Sequence, residues 1–483
     1  MSTGEIVKAT DMNAVTLAAD TDVFKKMLQG YGLPSENVIA PTSEREIICG
    51  NFSPFFSRLS VEEKSTARYL SKFVGAAAIG LFDAALNYIW DEVVLNLRAK
   101  AVKYGIELFY DAAVGGANRA NFRDENDMDG LKDKVLLDTC YKLEIIPYTL
   151  YKKLEYILVM RNEIAASHPT MNQIGGYELM SFLQVCVSEV IKSPLSESAI
   201  QTKILLDSLK NEQAIVDETY VRHFEDEIGK LSIVHINNLL VSICGIFCDA
   251  ASSQTIRQNI SRLAKTLWNG ASNEAKYKIA ARIDAYKTNL QQSKVKRMEA
   301  FLDIVDGHNF RQNNSKEIEL NSLCERLESA HIGWDNFSNE PPIMHEILKF
   351  CKSYGDIPEG VKENLVRVVL RCRIGRGVSY CEGVSPWGKP LYDEFLSLLT
   401  DEGMKFLIMA VFSSRIKVVL SNGRCKSHLQ DVLEMHMNRV VTPRLKDVFR
   451  FMVSNIASIE KLDNNPEFIT LVKPYVTFVN KRE

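Results

Sequence analysis

Apolar and polar positions follow one another along this chain with the three-to-four spacing of helices over most of its length. A helix is predicted across 14–29, stopping near Gly30, Gly32 and Pro34. The segment 47–59 groups Phe52, Phe55 and Phe56 and is expected to be a loop packed onto the domain that follows. SVEEK at 60–64 has the form of a helix start, because Ser60 can cap and Glu63 stands three residues on. Helical spacing then continues to about Tyr104, with a weak point at Gly75 and Gly105 as the expected C-cap. The stretch 111–130, rich in Gly, Asn and acidic residues, reads as an exposed loop. Helices are expected over 131–145, 148–168 and 177–193. Pro147 bounds the first of these, and Pro169 ends the second at His168.

Residues 196–310 keep the helical period with few Pro and Gly. Within them, the run from Glu274 to about Asp306 predicts a long, partly exposed helix or a helical pair. Residues 311–483 contain the Gly-rich segment RCRIGRGVSYCEGVSPWGKP at 371–390. They also contain KFLIMAVF and RIKVVLS, which are strands or buried helix segments, since periodicity cannot separate the two at that length. The fold class is therefore mainly α, built of multi-helix bundles, with room for a few short strands near the C-terminus. Four regions are expected: a lead-in over 1–60, a helical bundle over 61–195, a helical middle region over 196–310, and a mainly helical domain over 311–483. No repeat of fixed period divides them further.

The totals change this picture little but exclude several classes. At 483 residues the chain is too long for one ordinary core. Its 46% apolar and 25% charged residues are the balance of a globular protein, which argues against wholesale disorder. A net charge of −3 supplies no global basic field, so any RNA contact must come from a local patch or groove. The ten cysteines form no CxxC pair. Cys244 and Cys248 lie one helical turn apart with only His235 nearby, which suits a buried helix face better than a zinc site. Unpaired cysteines point to a reducing compartment, the cytoplasm. The N-terminus has no secretory pattern, and Asp83, Asp91 and Glu92 interrupt the most apolar stretch, 73–97, so no membrane span is expected. No cofactor and no metal site is expected.

One stretch concentrates the chemistry. Across 148–168, which runs into RNEIAASHP at 161–169, Tyr151, Leu154, Leu158, Arg161, Ala165 and His168 follow a three-four-three-four spacing along one stripe of a helix. Arg161 and His168 are seven steps apart, nearly two turns, which puts them on one face about 10 Å apart along the axis. A cation and an imidazole on an apolar stripe are costly without a partner or ligand. A second copy of the helix across a two-fold axis would bring two such pairs into one cleft. That cleft suits RNA cleavage: the attacking group would be the 2′-OH, His168 would move a proton, and Arg161 would grip the phosphate in a fork. Asn162 would orient the phosphate or the histidine.

This stretch resembles the motif of HEPN-domain endoribonucleases: Arg, a polar residue, several further residues, then His, at the end of a later helix. The long apolar segment LFDAALNYIWDEVVLNLR lies earlier, as that resemblance requires. The resemblance covers roughly residues 60–195. It implies a helical bundle, metal-independent RNA cleavage by Arg161, Asn162 and His168 at a homodimer or higher even oligomer interface, and a toxin or phage-defence role. A regulatory protein or nucleic-acid trigger would act on such a site.

The bare pattern is weak, because composition alone yields about one Arg-to-His pair with this spacing. RLESAH, with Arg326 and His331, also fits. There Leu327 follows the arginine, and five helical steps put the two side chains about 140° apart. For Arg161 the competing reading is a structural pair with a carboxylate such as Asp138, with His168 capping a helix C-terminus. A second candidate lies in 371–390, where Arg371, Arg373, Arg376 and Lys389 stand among glycines and could hold nucleic acid or an activating ligand. That segment lacks the GKS or GKT ending of a phosphate loop, and a surface loop is the competing reading. His223 beside Glu225 and Asp226, His345 beside Glu346, and His428 and His436 near Glu434 read as isolated pairs. A non-catalytic helical scaffold that dimerises through the bundle, or a nucleic-acid sensor built on Arg371 to Arg376, are the alternatives to the nuclease.

Overall fold

The computed structural model describes residues 14–114, 116–166, 174–211 and 215–478. Among these residues the chain is helices, turns and loops, with no strand. It divides into two compact units: one of residues 1–246 and 252–271, the other of 247–251 and 272–483. The division falls inside 196–310, the span that periodicity sets apart as a middle region.

In the first unit, Ser60 accepts from the Glu63 backbone N–H at 3.2 Å while Glu63 accepts from the Ser60 N–H at 2.7 Å. This is the expected capping box, and it opens the short helix Val61–Thr66. The helix Arg68–Ile79 runs through Gly75 without a break and ends at Gly80 instead. Gly80 has φ 89°, and a Cβ there would lie 2.6 Å from Ile39 Cγ2, so both conformation and space demand glycine. The chain then turns into the long helix Phe82–Ala113, which is kinked at Gly105 (φ 121°) but continues past it, where a stop was expected. This helix is the spine of the unit. It buries Leu86, Ile89, Trp90, Val93, Leu97, Tyr104 and Phe109 against Arg68–Ile79, Asp133–Lys142 and Glu197–Leu209. Its charges are satisfied locally: buried Glu92 accepts from the Tyr69 N–H at 3.2 Å, and Lys100 donates to the Ser193 carbonyl. Phe52–Phe56 forms one short helical turn rather than a loop. The expected loop 111–130 holds two 3₁₀ turns, Gly116–Asn121 and Glu125–Gly130.

In the second unit, the helix Glu359–Ile374 is central. It buries Val361, Leu365, Val366, Val369 and Leu370, and packs on Asn313–Ile332, Lys389–Ser397, Met404–Val411 and Gly423–Arg439. KFLIMAVF is a helix, Met404–Val411, and RIKVVLS is the helical turn Ser414–Lys417 followed by a 3₁₀ turn, Val419–Ser421. The short strands allowed for near the C-terminus are absent from the described residues, because these segments find helices rather than strands as neighbours. The run from Glu274 to Asp306 is three helices, Asn273–Ala280, Arg282–Thr288 and Gln292–Val305. Leu290, with φ 56°, marks the second break. No helix among the described residues is long and apolar enough to cross a membrane.

Candidate functional site

The helix Tyr148–Met160 buries Leu150, Leu154, Ile157 and Leu158, as its apolar stripe requires. Arg161 follows as the first residue of a π-helical turn, Arg161–Ala166. In such a turn each bond spans five residues rather than four, and turns of this kind recur at functional sites. The stripe expected to join Arg161 and His168 runs into this turn, and its far end lies outside the described residues. His168 and Pro169 lie outside the described residues.

Arg161 is fixed by the spine helix and its neighbours. Its Nε donates to Asn87 Oδ1 at 3.1 Å, and its Nη1 donates to Asn162 Oδ1 at 2.9 Å. Nη1 also stands 3.7 Å from Asp133 Oδ2. Asp133 is held in turn by the Trp90 indole N–H, which donates to it at 2.7 Å. Nη2 has no partner among the described residues and remains available to an anion. The Arg161 side chain is 27% exposed, and Asn162 is exposed. Asp91 completes the surroundings. Burial pushes its carboxyl above the ordinary range; Arg161 and Lys72 oppose this, and Asp133 adds to it. Exposed Lys72 lies over the rings of Tyr69 and Tyr88, 4.9 and 5.5 Å from their centroids.

The carboxylate partner is therefore Asp133, not Asp138. Asp138 instead accepts from the Tyr151 hydroxyl at 2.9 Å and pairs with Lys134 at 2.9 Å. Asn87, Trp90, Asp91 and Asp133 are the site residues that sequence reasoning missed. Their one signal was Asn87 and Asp91, four residues apart, as polar interruptions on one face of a long, largely apolar helix.

The second pair behaves differently. Arg326 is exposed and His331 is buried, on different faces of the helix Asn313–Ile332. His331 Nδ1 hydrogen-bonds Glu340 Oε1 at 2.9 Å, and Asn336 donates to the same oxygen at 2.8 Å. The Tyr392 hydroxyl donates to the other oxygen. Cys372 brings its sulfur close, so that ligand-type atoms of His331, Glu340 and Cys372 lie within 4.8 Å of one another. Three donors onto Glu340 account for this buried carboxylate as a hydrogen-bonded network. His331 Nε2 has no hydrogen-bond partner.

Of the four basic residues in 371–390, Arg371 donates to the Gly375 carbonyl and Arg373 donates to Asp393 at 2.6 Å, with Arg373 buried. Only Arg376 and Lys389 are exposed. His223 and His345 are exposed on helix surfaces. His428 Nδ1 bonds the Ile374 carbonyl at 3.1 Å. His436 is fully buried without a polar partner, and burial pulls its pKa down to about 4. Cys244 and Cys248 are both buried.

Against known proteins, no family model, no curated protein and no solved structure matches this chain.

Proposed function

We propose that this chain is a HEPN-type endoribonuclease acting through Arg161, Asn162 and His168 at a homodimer interface. The observation that carries the reading is the Arg161 guanidinium: anchored by Asn87 and Asp133, about a quarter exposed, with Nη2 unused among the described residues. A phosphate needs a charged, preorganised donor of this kind. In the reaction, His168 takes the 2′-OH proton and the 2′-oxygen attacks phosphorus. The bond to the 5′-oxygen breaks, and that oxygen leaves as a hydroxyl after receiving the proton that His168 has accepted. The products are a 2′,3′-cyclic phosphate and a 5′-OH end. Arg161 stabilises the charge on the phosphorus oxygens, and Asn162 orients them. Every step uses groups of the chain and the RNA itself.

Support for a second copy comes from the same helix. Tyr156 and Val159, on the helix that leads into Arg161, are 51% and 43% exposed, and Tyr177 on the next helix is 75% exposed. Large side chains left in water on one unit suit a self-complementary contact. A toxin or antiviral role, exerted by growth arrest under the control of a trigger, rests on the family resemblance alone.

A non-catalytic scaffold is the second reading. It is favoured by Asp133 and Asp91, which a phosphate must outcompete for Arg161. One experiment separates the two. Wild type and His168→Ala are incubated with RNA and the ends are mapped. The nuclease reading expects cyclic-phosphate ends from wild type only, and equal cleavage by both proteins sinks it.

A further inference from the structure

The second unit carries a surface cavity that the nuclease reading does not use. It has a volume of about 390 Å³, within the ~300–1,000 Å³ of small-molecule sites. One wall is the link Ile332–Phe337 between two helices, and the other is the Gly-rich loop carrying Arg376, Val378 and Tyr380. Both walls present aromatic rings. Trp334 is 102% exposed, an indole left wholly in water. Phe337 and Tyr380 stack with centroids 5.6 Å apart at 19°, yet Tyr380 is 74% exposed, so its second face stays open.

Arg376 is built into place. It sits between Gly375 (φ 81°) and Gly377 (φ 74°). A Cβ on Gly375 would lie 2.5 Å from the Gly383 carbonyl oxygen, and one on Gly377 would lie 2.5 Å from Asn422 Cγ. The Arg376 backbone N–H donates to Gly383 O at 3.2 Å, and its Nη1 reaches across to donate to Gly333 O at 2.9 Å. Its remaining N–H groups meet no partner among the described residues, and it forms no ion pair there. The loop holds Cys381 and Glu382 in left-handed backbone, φ 46° and 55°, a strain that side chains adopt only where the surroundings enforce it. Beneath, Asn336 lines the cavity and is tied to buried Glu340, so the floor is fixed.

We infer that this cavity binds a nucleoside 5′-phosphate. The open faces of Trp334 and Tyr380 suit a planar base, since every base has a face to stack. The unpaired fork of Arg376 suits the phosphate. Exposed Asp335 on the rim suits the exocyclic amino group of the base, a donor it can accept from. A quaternary ammonium ligand would also stack on the rings, but Arg376 repels it. The glycines that resemble a phosphate cradle in sequence serve to turn the loop and position this one arginine.

This inference does not rest on the Arg161 reading, and its test keeps the two apart by using the full chain with His168→Ala. Adenosine and guanosine 5′-monophosphates are titrated by calorimetry, alongside the bare nucleosides, inorganic phosphate and a trimethyl-lysine peptide. Both nucleotides are expected to bind at least about tenfold tighter than nucleoside or phosphate. Trp334→Ala and Arg376→Gln, both at exposed positions, are each expected to weaken binding about tenfold with an unchanged melting temperature. Arg376→Lys is expected to restore part of that loss. Nucleotides binding no better than inorganic phosphate would overturn the inference. So would preferential binding of the trimethyl-lysine peptide, or variants that bind as wild type does.

Discussion

RNEIAASH in the first unit and RLESAH in the second satisfy the same loose pattern, yet their described residues end in different surroundings. His331 is locked in the core, bonded to Glu340 beside Asn336, Tyr392 and Cys372, while Arg326 points to water on another face. Arg161 instead begins an irregular turn at the surface, held by Asn87 and Asp133 with one nitrogen to spare. The first arrangement spends its polar groups on stability. The second holds a charge in place and leaves it reachable, which is what recognition of an anion requires. Spacing counts residues along one chain, whereas chemistry depends on what the rest of the fold brings to them.

The sharpest way to break this contrast is to remove each arginine. Under the proposed nuclease function, Arg161→Ala is expected to lower RNA cleavage about a thousandfold, the scale of losing a transition-state charge donor. Arg326→Ala should leave the rate as in wild type. A comparable loss in both, read from product formation per folded molecule, would erase the distinction.

Next in size is the buried network. Glu340→Ala strips the acceptor from His331, Asn336 and Tyr392 and should cost about 3 kcal/mol of stability. Equilibrium urea unfolding measures it. Cleavage by the molecules that remain folded should not change, and a cost under ~1 kcal/mol would show the network to be slack.

Acid tests a histidine that the core of the second unit has enclosed. His436 has a folded pKa of about 4, below its unfolded value of roughly 6.5. Above the unfolded value neither state is protonated and stability is unaffected. As pH falls through that value the unfolded chain binds a proton that the folded one refuses, so stability drops until pH reaches the folded pKa. Between about pH 7.5 and 4.5 the loss should be ~2.5 kcal/mol, and His436→Leu should reduce it. Urea midpoints at the two pH values decide the matter, and an equally steep fall in His436→Leu would assign the sensitivity elsewhere.

The smallest effect belongs to the first unit. Ser60→Ala opens the capping box and should cost about 1 kcal/mol. Hydrogen exchange at Glu62 and Glu63 would register the frayed turn, and unchanged protection there would mean that packing alone holds the helix end.

Much of the fold was legible because its cause is local. The three-to-four period marks helices, and Ser60 with Glu63 marks one helix start whatever lies beyond. Breaks were less legible. Gly75 and Gly80 are both glycines in a helical run, but only Gly80 must adopt positive φ against Ile39, and Ile39 lies far back in sequence. KFLIMAVF illustrates the same point, since an eight-residue apolar run becomes helix or strand according to what packs against it.

By itself, then, the sequence determined a mainly helical chain and put an arginine, an asparagine and a histidine within a few residues of one another. Those properties follow from side-chain period and residue type, which act over one or two turns. The tertiary structure alone decided that Arg161 meets Asn87 and Asp133 rather than Asp138, and that His331 meets Glu340. It also decided that Arg376 stands across from Trp334. These partners lie from nine residues to more than seventy away in sequence. Burial and charge pairing are set by packing in space, and no local spacing encodes which distant side chain will arrive.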